Sequence, residues 1–180
     1  VTEDKAPPIG AIIDPAILTC SLLNVNVEFT GGQPQYLYAW NTANGTIISG
    51  SNADIIIVSK AGTYNVEVTD TDNGCTKIFS AEVKVSNDVP LINAENTGEL
   101  NCKVTDLTLN AVVGNVTSYS SSWEAINGGN ILSGNNTLQP LINNSGFYII
   151  TVTNLINSCE TTDTVEVVKN ITTPEFINPT

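Results

Sequence analysis

Apolar and polar residues alternate with a period of two along most of this chain. In Gly62-Thr-Tyr-Asn-Val-Glu-Val68, Tyr64, Val66 and Val68 fall on one side while Thr63, Asn65 and Glu67 fall on the other. That is a strand with one buried and one wet face. The pattern returns in Gly146-Phe-Tyr-Ile-Ile-Thr-Val152, where Tyr148, Ile150 and Val152 take the places of Tyr64, Val66 and Val68. Upstream, Pro7 to Ile13 reads as an edge strand, where proline is tolerated. Val25, Val27 and Phe29 alternate into a second strand that stops at Gly31-Gly32. Tyr36, Tyr38 and Trp40 share one face of a third, followed by an Asn44-Gly45 turn. Ala53 to Val58 predicts a short apolar strand, and a last strand points Ala81, Val83 and Val85 inward. Later, Leu107, Leu109 and Ala111 stand in for Val25, Val27 and Phe29, and Trp123 precedes Asn127-Gly128. No helical period persists beyond two turns. Seven or so short strands with turns every 8–12 residues, in roughly 80 residues, predict an all-β Greek-key sandwich.

The pattern is written twice. Pro8 maps to Pro90, Cys20 to Cys102, Trp40 to Trp123, Gly62 to Gly146, Tyr64 to Tyr148 and Cys75 to Cys159, at offsets of 82, 82, 83, 84, 84 and 84. Six landmarks in register mark a duplication. The expected domains are 1–88 and 89–170. Thr173-Pro-Glu-Phe-Ile177 resembles Val89-Pro-Leu-Ile-Asn93, so 171–180 is expected to open a following repeat. Val1-Thr-Glu-Asp-Lys5 likewise reads as the interior of a longer chain, and Ser86–Val89 as a linker too short for free swinging.

Charge narrows the partners. The 180 residues include six Lys, no Arg, no His and 18 acidic residues, for a net charge of −12. Phosphate backbones and anionic lipid surfaces are bound by basic clusters, so no nucleic-acid partner and no membrane insertion are expected. No apolar run approaches the roughly 18–20 residues of a membrane span. Without His there is no Ser–His or Cys–His pair and no zinc site of the usual kind. Without Arg there is no bidentate clamp for carboxylate or phosphate. A carboxylate-pair hydrolase is formally open, but no insertion offers it a pocket. The chain is expected to be no enzyme and to need no cofactor.

Gly31-Gly-Gln-Pro-Gln-Tyr-Leu-Tyr-Ala-Trp40 and Ala61-Gly-Thr-Tyr-Asn-Val-Glu-Val-Thr-Asp70, with Gly74-Cys75-Thr76 beyond, carry a resemblance. They resemble the signatures of Ig-like and PKD-like repeats in the giant surface adhesins of gliding, type-IX-secreting bacteria. The resemblance covers both copies. The first matches better, since the second has Val113-Gly-Asn-Val-Thr117 in place of the Gly-Gly-x-Pro run. It implies two tandem Ig-like (Greek-key) β-sandwiches from an extracellular array that adheres, or carries other parts away from the cell. Its partners would be neighbouring repeats of the same chain and other copies in a fibre. The alternative reading is a glycan-binding module of a secreted protein.

Candidate site residues each have a plainer reading. Trp40 and Trp123 have the stacking surface a sugar needs, yet each lies on the core face of a strand, where sandwich domains bury a Trp. With Tyr64 and Tyr148 they are assigned to the core. Asp70, Asp72 and Asn73 superficially suit calcium, a hard cation. However, the EF-hand's distal Glu is missing, the second copy has Asn154-Leu-Ile-Asn-Ser158 there, and Asx residues also build tight turns. Asp14, Asp88 and Glu95 are a second set of calcium candidates. Asn-x-Ser/Thr triplets begin at Asn44, Asn115, Asn135, Asn143 and Asn170. Asp163-Thr-Val165 resembles a short O-glycosylation motif of the same bacterial group, but on a strand. Lys77 and Lys84 flank outward positions, unsuited to an isopeptide bond, which needs a buried lysine.

Cys20, Cys75, Cys102 and Cys159 are expected to be oxidised if the chain is extracellular. The inter-sheet pin of antibody domains is excluded, since its second Cys follows the corner Tyr by two residues and Cys75 follows Tyr64 by eleven. Two pairings stay open: Cys20–Cys75 with Cys102–Cys159 inside the copies, or Cys20–Cys159 between them, with Cys75 and Cys102 reaching to neighbours before and after.

Overall fold

The computed structural model describes residues 5–171. They form strands and connecting loops with no helix among the described residues. The chain divides into two compact units, Val1–Asn87 and Asp88–Thr180. Each is an Ig-like β-sandwich. The repeat start expected over 171–180 falls, apart from Ile171, outside the described residues.

The first unit runs β1 (Ala11–Ile12), β2 (Val25–Thr30), β3 (Tyr36–Thr42), β4 (Thr46–Ser49), β5 (Ile55–Lys60), β6 (Gly62–Asp70) and β7 (Thr76–Val83). One sheet has the order β1-β2-β5-β4 and the other β3-β6-β7. This is the four-plus-three partition of a constant-type immunoglobulin sandwich. The two-residue alternation makes the core. Val25, Val27 and Phe29 of β2 with Ile56 and Val58 of β5 face Trp40, Tyr64, Val66 and Val68 of the other sheet. Positions where a pin cysteine would sit hold Val66 and Ile150, both fully buried.

Buried aromatic residues keep their polar ends satisfied. Trp40 is 6% exposed, and its Nε1 donates to the Ala53 carbonyl at 2.8 Å. The Tyr64 hydroxyl donates to the Lys60 carbonyl at 2.5 Å and accepts from the Thr46 N–H at 2.8 Å. This bond, four residues back, closes the β5–β6 corner. Trp123 and Tyr148 repeat both devices. Trp123 is 4% exposed and donates to Thr137 at 2.9 Å, while Tyr148 donates to Asn144 at 2.6 Å and accepts from Asn130 at 2.9 Å.

The elements differ from the sequence reading in three places. Of the edge strand expected over Pro7–Ile13, only Ala11 and Ile12 form strand, with the Ile13 N–H donating to the Glu28 carbonyl at 2.9 Å just beyond them. The Ala53–Val58 strand is shifted to Ile55–Lys60, because Ala53 belongs to a turn closed on Gly50. Val85 does not point inward; it is 50% exposed. The inward alternation ends at Val83, and Val85 instead forms a parallel bridge with Leu18, a core residue that the period-two reading passed over.

The second unit runs β8 (Leu91–Glu95), β9 (Leu100–Asn101), β10 (Leu107–Thr108), β11 (Asn110–Gly114), β12 (Tyr119–Ile126), β13 (Ile131–Ser133), β14 (Leu141–Ile142), β15 (Gly146–Asn154), β16 (Glu160–Val167) and β17 (Lys169–Asn170). β12-β15-β16 form one sheet, and β9 pairs parallel with β17 where the first unit has the Leu18–Val85 bridge. Its first strand is longer. Asn115, at φ 55°, accepts from the Leu91 N–H at 2.8 Å and donates to the Val89 carbonyl at 2.9 Å, holding β8 against β11.

The two cores are filled by a compensating exchange. A Cβ on Gly10 would fall 2.2 Å from Cζ of Phe29 and 2.6 Å from the Thr30 carbonyl oxygen, so the ring and the neighbouring backbone together fill the space a side chain would need. In the second unit the corresponding residues are Ile92 and Ala111, both packed in the core. Gly10→Ala alone should therefore overpack the first core and destabilise it by about 1–3 kcal/mol. Gly10→Ala with Phe29→Ala should cost less than the sum of the two, measured as a denaturant double-mutant cycle. Additive costs would show that the two sites do not share space. Separately, Trp40→Ala should cost about 3–5 kcal/mol, read by chemical denaturation of the first unit.

Candidate functional site

Each unit has a turn that grips the chain as it enters. In the first, the Asp70 N–H donates to the Cys75 carbonyl at 2.9 Å and the Gly74 N–H to the Asp70 carbonyl at 2.7 Å. Asp70 Oδ1 accepts from the Asp72 N–H at 2.9 Å, and Asn73 Oδ1 from the Cys75 N–H at 2.8 Å. Asn73 Nδ2 then donates to the Ala6 carbonyl at 3.1 Å. In the second unit, Asn154 and Asn157 accept from the Ile156 and Cys159 N–H groups at 3.0 Å each. Both donate to the Asp88 carbonyl at 3.1 Å. Short Asx side chains cap their own backbone two residues on, which leaves the amide free to reach the entering strand. Asp88 is thus held by the entrance turn of the second unit.

The opposite end of each unit has its own turn. Leu18 donates to the Lys84 carbonyl at 2.9 Å and accepts from the Ser86 N–H at 2.8 Å, tying the start of the domain to its outgoing strand. Beyond it Thr19 closes a turn on Leu22 by backbone and hydroxyl, both at 3.0 Å. Asn101 closes the equivalent turn on Val104 at 2.9 Å by backbone and side chain.

The four cysteines occupy these two places only. Cys20 and Cys102 lie in the exit turns, Cys75 and Cys159 in the entrance turns. β6 pairs Gly62 with Val83 at the exit end and Thr69 with Thr76 at the entrance end. Nine residues of strand separate them by roughly 30 Å, against roughly 4.4–6.8 Å between bridged Cα atoms. Cys20 and Cys159 are disulfide-bonded, while Cys75 and Cys102 are free thiols. Neither within-copy pair, Cys20–Cys75 nor Cys102–Cys159, therefore forms. Cys159 is fully buried, Cys75 half-buried and Cys102 exposed.

Other singled-out residues are scattered or occupied. Asp70, Asp72 and Asn73 do lie together, but Asp70 and Asn73 spend an oxygen on the turn itself. Among the described residues no three His, Cys, Asp or Glu gather as a metal-binding group. Asn44 accepts from the Thr63 N–H at 2.9 Å, and Asn143 from the Asn130 amide at 2.7 Å. Asp163, within β16, accepts from the N–H of Ala94 at 2.7 Å and of Thr164 at 2.8 Å. Lys77 is exposed with its Nζ 4.8 Å from the Phe79 ring centroid. Open depressions occur beside Tyr119–Ser122 and beside Trp123–Asn135, with no convergent acid–base pair.

Asp70→Asn copies Asn154 and should leave thermal stability within about 0.5 kcal/mol. Asn73→Ala removes both a turn acceptor and the Ala6 donor, and should cost about 1–3 kcal/mol. Both are read by thermal melts with and without millimolar calcium. A calcium-dependent rise in the parent protein that Asp70→Asn abolishes would return the turn to the cation reading.

No protein-family model matches the chain, and no curated protein matches it. Among solved structures, the N-terminal eight Ig domains of Down Syndrome Cell Adhesion Molecule isoform 1.30.30 match with a TM-score of 0.51 at 16% identity, over 88% of this chain and 27% of that one. Three N-terminal domains of the bacteriophage RB49 Highly Immunogenic Outer Capsid protein match with a TM-score of 0.45 at 15% identity, over 89% of this chain and 59% of that one. The chain thus spans less than two thirds of either neighbour. What the likeness to the first shows is the fold: an Ig-like β-sandwich.

Proposed function

We propose that this chain is a tension-carrying spacer in an extracellular, repeat-built surface protein, with Cys20 and Cys159 covalently coupling its two repeats. One observation carries the reading: both disulfide-bonded cysteines lie two residues beyond the groups that hold the linker. Cys20 follows Leu18, which holds Lys84 and Ser86. Cys159 follows Asn157, which holds Asp88. A disulfide there braces the linker where the hydrogen bonds already fix it. A persistent disulfide also fits an oxidising compartment outside the cell. The surface-adhesin origin rests on the Gly31–Trp40 and Ala61–Asp70 signatures. The role is mechanical and non-enzymatic, with neighbouring repeats and other copies as partners. Sugar stacking loses its best candidates, because Trp40 and Trp123 are core residues with their Nε1 donors engaged.

Such a bond reroutes force. When the chain is pulled from its ends, tension crosses from Cys20 to Cys159 and bypasses every residue between them. Single-molecule extension of the oxidised protein should release only the segments outside the bond. After reduction the whole chain should extend, gaining roughly 3.5 Å per released residue. Equal extension in both states would overturn the proposal.

A further inference from the structure

We infer that Cys75 and Cys102 are covalent docking sites for further copies of this repeat. Cys75 takes the exit-turn cysteine of a preceding repeat, and Cys102 takes the entrance-turn cysteine of a following one. The inference rests on the Cys20–Cys159 coupling proposed above and extends it beyond the two repeats.

The duplication supplies the argument. Cys102 holds in the second unit the place Cys20 holds in the first, one residue into a turn closed by Thr19 or Asn101 on the residue three further on. Cys75 holds the place of Cys159, its N–H capped by Asn73 as that of Cys159 is by Asn157. One member of each equivalent pair is disulfide-bonded and the other is a free thiol. The bonded members are an exit turn and an entrance turn. The free members are one of each as well, and by the same backbone frames they are complementary to the missing neighbours. Both free thiols are reachable, since Cys75 is half-buried and Cys102 exposed. Pairing two entrance turns, Cys75 with Cys75 of another copy, would join like ends and reproduce no bond of this chain. Head-to-tail joining generates an open array instead of a closed dimer.

The bond forms by oxidation of two thiols with a small-molecule disulfide such as oxidised glutathione. One Cys–S–S–Cys bond is made, the glutathione disulfide is cleaved, and its two sulfurs leave as thiols carrying the two electrons and two protons.

The test is a tandem protein in which residues 1–171 continue directly into residues 6–171. This places Ala6 where Thr172 stands, as Asp88 stands at the natural joint. One version carries Cys75→Ser in its first copy and Cys102→Ser in its second, leaving free the two cysteines that flank the new joint. The reciprocal version leaves the two outer ones. After folding in glutathione redox buffer, the first should lose both titratable thiols, from two per molecule to none. It should also yield a Cys102–Cys75 peptide on non-reducing digestion. The reciprocal version should keep both thiols as a monomer. Persistence of both thiols in the first version, equal linking in both versions, or bonds exchanged with Cys20 or Cys159 would each overturn the inference. A Cys20–Cys159 peptide in both versions separates that failure from failure of the spacer reading, which falls if that peptide is missing.

Discussion

The central strand of the three-stranded sheet sets the dimensions of each repeat. β6 is hydrogen-bonded along both sides, to β3 and to β7. Its inward side chains Tyr64, Val66 and Val68 are fully buried. Burial of one face fixes register, because a one-residue slip would turn all of these outward. With register fixed, the nine residues of β6 fix how far apart the two ends of the sandwich lie. β15, with Tyr148, Ile150 and Val152, does the same in the second unit.

That length governs the cysteine chemistry. An antibody-type domain places its cysteines across the core, on facing strands. Here Val66 and Ile150 take that place and contribute by packing alone, at about 25 cal/mol per Å² of apolar area removed from water. The cysteines lie instead in turns at opposite ends, beyond reach of the partner within their own repeat. A disulfide inside one repeat would have to span the full length of the sandwich, which its geometry forbids.

The entrance turn shows how a motif that resembles a cation loop serves structure. Asp70 and Asn154 are equivalent and do the same backbone capping, one as carboxylate and one as amide. Replacement of the charge without change of geometry argues that hydrogen-bonding shape is what the turn uses. The amide adds a second donor to the Asp88 carbonyl, which a carboxylate has no proton to provide.

Sequence by itself determined the sandwich, the duplication and the burial of Trp40, Tyr64, Trp123 and Tyr148, because period-two alternation and turn spacing are local properties of the chain. It left the pairing of Cys20 with Cys75 or with Cys159 open, since that choice depends on where the strands end in space. Tertiary structure decided what depends on contacts distant in sequence. Leu18 lies in no alternating run, and its burial comes from a bridge to Val85, 67 residues later by the numbering. Val85 continues the alternation yet is exposed, lying past the end of β7 at Val83. The Gly10–Phe29 and Ile92–Ala111 exchange is invisible until both residues share one volume. The oxidation pattern, with Cys20 and Cys159 bonded and Cys75 and Cys102 free, needed the ends of the strands in place, since a disulfide selects by distance between Cα atoms and not by order along the chain.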